Sequence, residues 1–530
     1  MNPIASIIAW CAARPLPVLA VVLTLSGLAV GTLSRTPLDA VPDVSDVQVV
    51  IATPWEGRSP DVVEDQVTYP LSTAFVATPG VRVVRAQSSF GFSLVTVIFE
   101  DGTDSSWARS RVLESLSSRT RLPADARPTL GPDASGVGWI FQYALVDESG
   151  RLGLHELRSL QDWSLRYQLE AVDGVAEVAS LGGYVRELQV LLDPARLRGL
   201  GVTTPEVVAA VRATTGDAGG HVLELAGHEH MIRARAQATR PEDLAEALVR
   251  TDEDGLPVRV KDVAEVSFGP APRRGVAELD GKGEVVGGIV VMRQQQNALT
   301  VLDAVKERIA ELGPALPAGV KIVPTYDRTE LIRESVNTLR DTVLQEMLVV
   351  ALVIFFFLRH VRSALVPVLS LPLAALVSFL PVAAQGLTIN IMSLGGIAVA
   401  IGAMVDASIV LIENVHNRLA LHETKGGGPA AGTDKRRVVI EAMQEVGPSI
   451  FFSLLVMTVS FAPVFTLPGV EGRLFSPLAF TKTYALAAAA ILAITLTPAL
   501  IGFFVRGRPR AEDEDFLSRA LQRVYAPTVR

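Results

Sequence analysis

The sequence predicts an α-helical membrane protein carrying a large α+β insertion, with six transmembrane helices and repeated βαβ units lying between the first and the second. Three observations predict it. Apolar residues, 49% of the chain, gather into long runs instead of spreading evenly. A stretch of roughly 300 residues with globular composition separates the first run from the other five. The connecting loops rich in basic residues fall on one side. The charged fraction, 20%, is also below the quarter expected of a soluble globular chain.

The first run covers residues 16–33 and is long enough to span a bilayer. Arg14 precedes it and no small-x-small cleavage site followed by a soluble start is clear, so it is predicted as an uncleaved helix, with residues 1–14 on the cytoplasmic surface. The other runs are 343–358, 364–384, 393–412, 446–467 and 478–505. Arg359 and Arg362 lie between the second and third runs, Arg418, Lys425, Lys435, Arg436 and Arg437 between the fourth and fifth, and Arg506, Arg508 and Arg510 after the sixth. The loop at 386–391 is uncharged, and the short loop after the fifth run carries only Glu471 and Arg473. Both termini are therefore predicted in the cytoplasm and residues 34–338 outside the inner membrane. Residues 512–525 form an amphipathic segment predicted on the inner surface.

The outer region reads as a duplication. A helix at 60–77 leads to Gly80-Val81, strands through Phe99 and a helix at 104–119. A helix at 154–171 leads to Gly174-Val175, strands through Leu192 and a helix at 204–214. The alternative is chance likeness between ordinary α/β segments. Pro-Gly seams at Arg127-Pro128 and Gly131-Pro132 divide the region into units at 34–130 and 131–338, with the helical block at 339–505 and a cytoplasmic tail at 506–530.

Composition narrows the chemistry. A net charge of −8 gives no footprint for nucleic acid. The single cysteine, Cys11, excludes an intrachain disulfide or a cysteine-built metal cluster, which leaves metal chemistry to Met, His, Asp and Glu. No hydrolytic triad, phosphate loop or cofactor fingerprint stands out, so an enzyme is not predicted and no cofactor is expected.

The sharpest chemical signal is Asp406, at the end of the run Ser393-Leu394-Gly395-Gly396-Ile397-Ala398-Val399-Ala400-Ile401-Gly402-Ala403-Met404-Val405. A carboxylate near the bilayer centre costs about 2.5–3.5 kcal/mol on insertion scales, so its presence marks a function. Gly395, Ala398, Gly402 and Asp406 share one helix face, and such small residues let another helix approach. Asp406 is therefore expected in a helix–helix contact. Glu413 lies two turns on, about 10 Å nearer the cytoplasm. The pair is predicted as a proton relay. The alternatives are a structural ion pair for Asp406 and a solvated interfacial position for Glu413, beside Asn414 and Arg418. Glu346 and Lys482, near the outer helix ends, are predicted to snorkel.

Longer motifs carry a family resemblance. Pro37-Leu38-Asp39-Ala40-Val41-Pro42-Asp43-Val44-Ser45-Asp46-Val47-Gln48-Val49, Glu64-Asp65-Gln66-Val67-Thr68-Tyr69-Pro70-Leu71, Phe99-Glu100-Asp101-Gly102-Thr103-Asp104 and Gly402-Ala403-Met404-Val405-Asp406-Ala407-Ser408 resemble segments of the heavy-metal efflux branch of the RND superfamily. So does Leu130-Gly131-Pro132-Asp133-Ala134-Ser135-Gly136-Val137-Gly138-Trp139. Within that branch the copper/silver type is the nearer likeness, because Ala400 stands where the zinc–cobalt–cadmium type usually has an aspartate.

The resemblance implies ferredoxin-like porter subdomains, a docking hairpin at about 195–265 and proton uptake at Asp406 that drives export of metal cations. It implies a multi-pass protein of a Gram-negative inner membrane with its large domain in the periplasm. A homotrimer, a periplasmic adaptor and an outer-membrane channel are the implied assembly. Such pumps are about twice as long as this chain, so a separate C-terminal half-chain is a further expected partner and the main three-methionine site is expected there. Met392 and Met404 match the family's thioether transit path, whereas Leu411, Leu486, Ile501 and Pro272 replace methionines. His221, His228 and His230, beside Met231, raise the alternatives of an added metal site or a solvated hairpin. The rival readings are a divalent-cation exporter, a protein-translocation accessory and a non-transporting remnant.

Overall fold

The structure, a computed structural model, describes residues 3–33, 36–214, 216–235, 237–251, 255–273, 275–294, 296–358, 361–422 and 432–504. The basic residues Arg359, Lys425, Arg506, Arg508 and Arg510 and the amphipathic segment 512–525 lie outside these residues.

The amino-terminal helices are α1 (Pro3–Ala13) and α2 (Pro15–Leu33). Two sheet units follow. In the first, β1 (Gln48–Pro54) leads through α3 (Pro60–Val63), a wide turn at Glu64–Thr68 and α4 (Tyr69–Val76) to β2 (Val81–Ser89), β3 (Phe92–Phe99), α5 (Ser105–Arg119) and β4 (Thr129–Leu130). The strand order is β2-β3-β1-β4, all antiparallel, which is the split βαβ arrangement. Asp104 caps α5 by accepting a hydrogen bond from the Trp107 amide at 2.8 Å. Val49, Ile51, Val95 and Val97 alternate inward to meet Leu71 and Phe75 from the helices.

The second unit repeats this design. It comprises β5 (Trp139–Asp147), α6 (Leu154–Leu160), a wide turn at Gln161–Leu165, α7 (Arg166–Glu170) and β6 (Val175–Gly182), then, after an excursion, β13 (Val286–Met292), α12 (Ala298–Leu312) and β14 (Val320–Asp327). Its order is β14-β5-β13-β6. Both units interrupt their first helix with a π-type turn, a rare feature whose recurrence at one place supports duplication.

The second copy differs from the sequence reading in its later half. The strand ending at Leu192 and the helix at 204–213 do not belong to the repeat. They open the excursion, which holds β7 (Arg186–Leu192), α8 (Pro194–Gly199), α9 (Thr204–Ala213), the hairpin β8 (Asp217–Leu225) and β9 (His228–Arg235), α10 (Pro241–Ala245), β10 (Leu248–Thr251), β11 (Pro257–Arg259), α11 (Val260–Val263) and β12 (Ala264–Pro270). The strand β7 pairs with β12, and Leu197, Val207, Val258 and Val263 build a separate small core. The physical reason is local. Gly182 and Gly183 take φ of 67° and 59°, turning the chain out of the sheet, and Gly182 sits so close to the Val285 carbonyl that a Cβ would lie 2.2 Å from it. The chain leaves and re-enters the sheet at one point.

The strand β14 runs directly into α13 (Arg328–Leu358), followed by α14 (Val361–Ala384), α15 (Ile391–His422), α16 (Gly432–Val459), α17 (Gly469–Ile494) and α18 (Leu496–Phe504). Five helices among the described residues are long and apolar enough to cross a membrane. The predicted run 343–358 forms the second half of α13, and the predicted run 478–505 is divided between α17 and α18 at Thr495. Ile397, Met404, Leu411, Leu486 and Leu500 lie in one buried cluster at the centre of the bundle.

Candidate functional site

The chemistry of the bundle is set by the two faces of α15. One face is buried. Gly396 lets α17 approach so closely that a Cβ on it would lie 2.2 Å from Thr481 Oγ1 and 2.6 Å from the Leu478 carbonyl. Met404 is 4% exposed, and beside it a cavity of about 10 Å³ is bordered by Ser370, Ser408, Ala489 and Thr497. Ser370 and Ser408 share a hydrogen bond at 3.4 Å, and Ser363 and His416 meet at 2.9 Å nearer the end of α15. The polar groups on this face thus satisfy one another, as burial demands. Leu411, Leu486 and Ile501 pack in the same cluster as Met404. Met392 is half-buried at the start of the helix.

The other face carries the carboxylates. Gly402, Asp406 and Glu413 are exposed, and Gly395 and Ala398 border a groove of about 310 Å³ against Glu334, Thr338 and Thr342 of α13. A Cβ on Gly395 or Gly402 would meet nothing within 4 Å. The expectation that the small-residue stripe packs closely against another helix is therefore not met among the described residues. Close approach instead uses Gly396, one residue and about 100° around the helix. Asn414 and Arg418 turn away from Glu413 toward α16, where Asn414 donates to the Ala442 carbonyl at 2.7 Å and Arg418 Nε donates to Glu445 at 2.8 Å. Glu346, predicted to snorkel, has one carboxylate oxygen buried without a hydrogen-bond partner among the described residues. Lys482 rests over the Phe461 ring, 3.4 Å from its centroid.

The histidines stand elsewhere. His228 and His230 pair with Leu225 and Leu223 across the β8–β9 hairpin, and His221 sits at its bulge. All three are exposed, and Met231 is 82% exposed. Among the described residues no three His, Cys, Asp or Glu side chains gather as a metal ion would require.

Two ties join the sheet units to the bundle, and neither was foreseen as chemistry from the sequence. Arg328, at the start of α13, pairs with Asp39 at 3.2 Å and donates to the carbonyls of Val137 and Trp139 at 2.6 and 2.7 Å. The Asp39 amide donates to the Ile389 carbonyl at 2.9 Å, which fixes the same segment to the loop before α15. Burial raises the Asp39 carboxyl above its usual range, against the pull of Arg328. The second tie is Arg473, in the first turns of α17. It donates to Asp46 at 2.8 Å, to Asp101 at 2.6 Å and to the Val44 carbonyl at 3.2 Å, while Arg82 donates to Asp46 at 2.9 Å. Hydrogen bonds from Arg473 and Arg82 hold the Asp46 carboxyl below its usual range. The signal was present in the motifs containing Asp46 and Asp101, which the resemblance had singled out without a role.

Comparison with known proteins follows this architecture. The AcrB/AcrD/AcrF family profile matches residues 10–530. The chain is 52% identical over 500 residues to the "Cation efflux system protein CusA" of Escherichia coli K12, covering 94% of this chain and 48% of that protein. It is 35% identical over 518 residues to the "Cobalt-zinc-cadmium resistance protein CzcA" of Cupriavidus metallidurans, covering 96% and 48%. A crystal structure of a heavy metal efflux pump superposes with a TM-score of 0.79 at 30% identity, covering 93% of this chain and 48% of that one. The chain thus spans about half the length of the curated relatives it matches.

Proposed function

The chain belongs to the AcrB/AcrD/AcrF family, and from that premise we propose that it forms part of a proton-driven exporter of heavy-metal cations. The single observation that carries this reading is Asp406, an ionisable residue on an apolar helix of 32 residues, exposed among the described residues on a face of small residues. A carboxylate there exchanges protons, and Glu413 along the same face gives the proton its next station toward the cytoplasm. The relatives named as cation efflux and cobalt-zinc-cadmium resistance proteins supply the cargo class.

For the ion, the Met404 thioether and the uncharged Ala400 support a soft monovalent cation such as Cu(I) or Ag(I). Leu411, Leu486 and Ile501, buried in the same cluster without a donor atom, favour the second reading, a divalent cation routed elsewhere. The assembly that fits is an inner-membrane homotrimer with its sheet units in the periplasm, joined to an adaptor and an outer-membrane channel. The uncovered face of α15 fits apolar helices supplied by a C-terminal half-chain.

The test is metal tolerance in a Gram-negative host without its own exporter, expressing this chain with such a half-chain. Asp406→Asn is expected to remove tolerance to copper and silver at unchanged expression. Unaltered tolerance would sink proton coupling at Asp406, and protection against zinc or cobalt alone would select the second reading.

A further inference from the structure

The two sheet units are held to the bundle in different ways. The second is continuous with it, since β14 ends at Asp327 and α13 begins at Arg328. That junction is also buried: the Arg328 side chain is 7% exposed and Asp39 16%. The first unit has no such continuity. Its segment at 44–46 and its loop at 101 are gripped by Arg473, whose side chain is 23% exposed, with Asp46 at 27% and Asp101 at 49%. This is a wetter and more breakable tie, because ion pairs partly open to water are worth little individually.

Arg473 also has a defined position relative to Asp406. It lies on α17, eight residues or about 12 Å of helix before Thr481. Thr481 and Leu478 are the groups pressed against Gly396 of α15. Gly396 lies ten residues, about 15 Å, from Asp406 on that helix. At Gly396 the two helices are in contact with no room for one further carbon, so a shift of α15 there displaces α17 and its first turn. Interlocked packing of this kind transmits displacement because it does not deform gradually.

We propose that Arg473 is a positioning residue that carries movement of the α15–α17 pair to the first sheet unit, the route being Asp406, Gly396 against Thr481 and Leu478, then Arg473 to Asp46 and Asp101. The Arg328–Asp39 junction is the fixed seat against which that movement is made. This rests on the reading of Asp406 as the proton site, and it adds the place where the protonation state is felt outside the bundle.

A double-mutant cycle on the whole chain in detergent, read by amide hydrogen exchange, tests it without reference to transport. Asp406→Asn imitates the protonated carboxyl. It is expected to change exchange at 43–48 and 99–104 by about fivefold or more, the lower end of the range typical of linked sites, and to leave 37–40 unchanged. In the Arg473→Gln background the same substitution should have no effect on those peptides, and Arg473→Lys, which keeps the charge but not the fork, should restore part of it. Equal responses with and without Arg473, or no response at 43–48 and 99–104, would overturn the route. If Arg473→Gln does not fold, Arg473→Lys alone must weaken the response to Asp406→Asn; an undiminished response overturns the proposal. Failure to export any metal would instead strike the export reading, and the exchange cycle would still decide the tie.

Discussion

At the scale of single residues, two glycines on α15, six residues apart, make opposite demands. Gly396 is needed because α17 occupies the space a side chain would take. Gly396→Ala should therefore lower stability by about 1–3 kcal/mol, the usual range for overpacking, seen as a lower thermal midpoint in detergent. A Cβ on Gly402 would meet nothing within 4 Å among the described residues, so Gly402→Leu should not lower that midpoint. The same substitution should still abolish copurification with a C-terminal half-chain, if that partner's helix covers the stripe. An unchanged yield of the complex would show that the partner packs elsewhere. The contrast also marks how far the sequence could be read. The spacing of Gly395, Ala398, Gly402 and Asp406 defines a face, and that face exists. What covers it was not legible, because the sequence pattern distinguishes small from large residues but a helix of this chain and a helix of another present the same apolar surface. Arg473 was invisible for a different reason: its partners at 46 and 101 are remote in sequence, and only the folded chain brings the three together.

At the scale of elements, helix and strand types were largely readable while their membership was not. The periodicities at 60–77 and 154–171 and the glycine before each following strand mark real counterparts, with Gly80 and Gly174 both in the left-handed region at φ 76° and 86°. The difference lies in which later elements belong to the second copy: the strand ending at Leu192 and the helix at 204–213 open an inserted segment, and β13 and α12 complete the repeat. In the first unit β2 and β3 form a hairpin, whereas in the second the corresponding strands, β6 and β13, are separated by the excursion. Strand pairing is a non-local property, and an insertion at a hairpin tip leaves each strand's own pattern intact. The pairing of Gly182 with Val286 yields a prediction. Replacing residues 183–285 by an Asn-Gly turn, which suits a two-residue hairpin, should preserve the sheet of β5, β6, β13 and β14. Protected amides at 286–292 in hydrogen exchange would confirm it, and their full exchange would show that the excursion is needed to hold the sheet.

At the scale of the whole molecule, the two ties should respond oppositely to acid. The folded-state pKa of Asp46 is lowered by Arg473 and Arg82, so its carboxylate contributes stability that is present above its unfolded value, about 3.9, and is lost as pH falls through the folded value. The folded-state pKa of Asp39 is raised by burial, so protonation is easier in the folded chain than in the unfolded one, and through this group stability rises as pH falls through the folded value. Acid therefore weakens the first unit's hold on the bundle and spares the second unit's. On lowering the pH from 7 to well below the unfolded carboxylate value of about 3.9, with exchange rates corrected for their intrinsic pH dependence, protection at 43–48 should fall while that at 37–40 persists. High salt should reproduce the same order at neutral pH, since the Arg473 cluster is open to solvent and is screened, whereas the Arg328 junction is buried. Simultaneous loss at both segments under either condition would mean that the sheet units move as one body, and the distinction between a fixed seat and a moving one would fall with it.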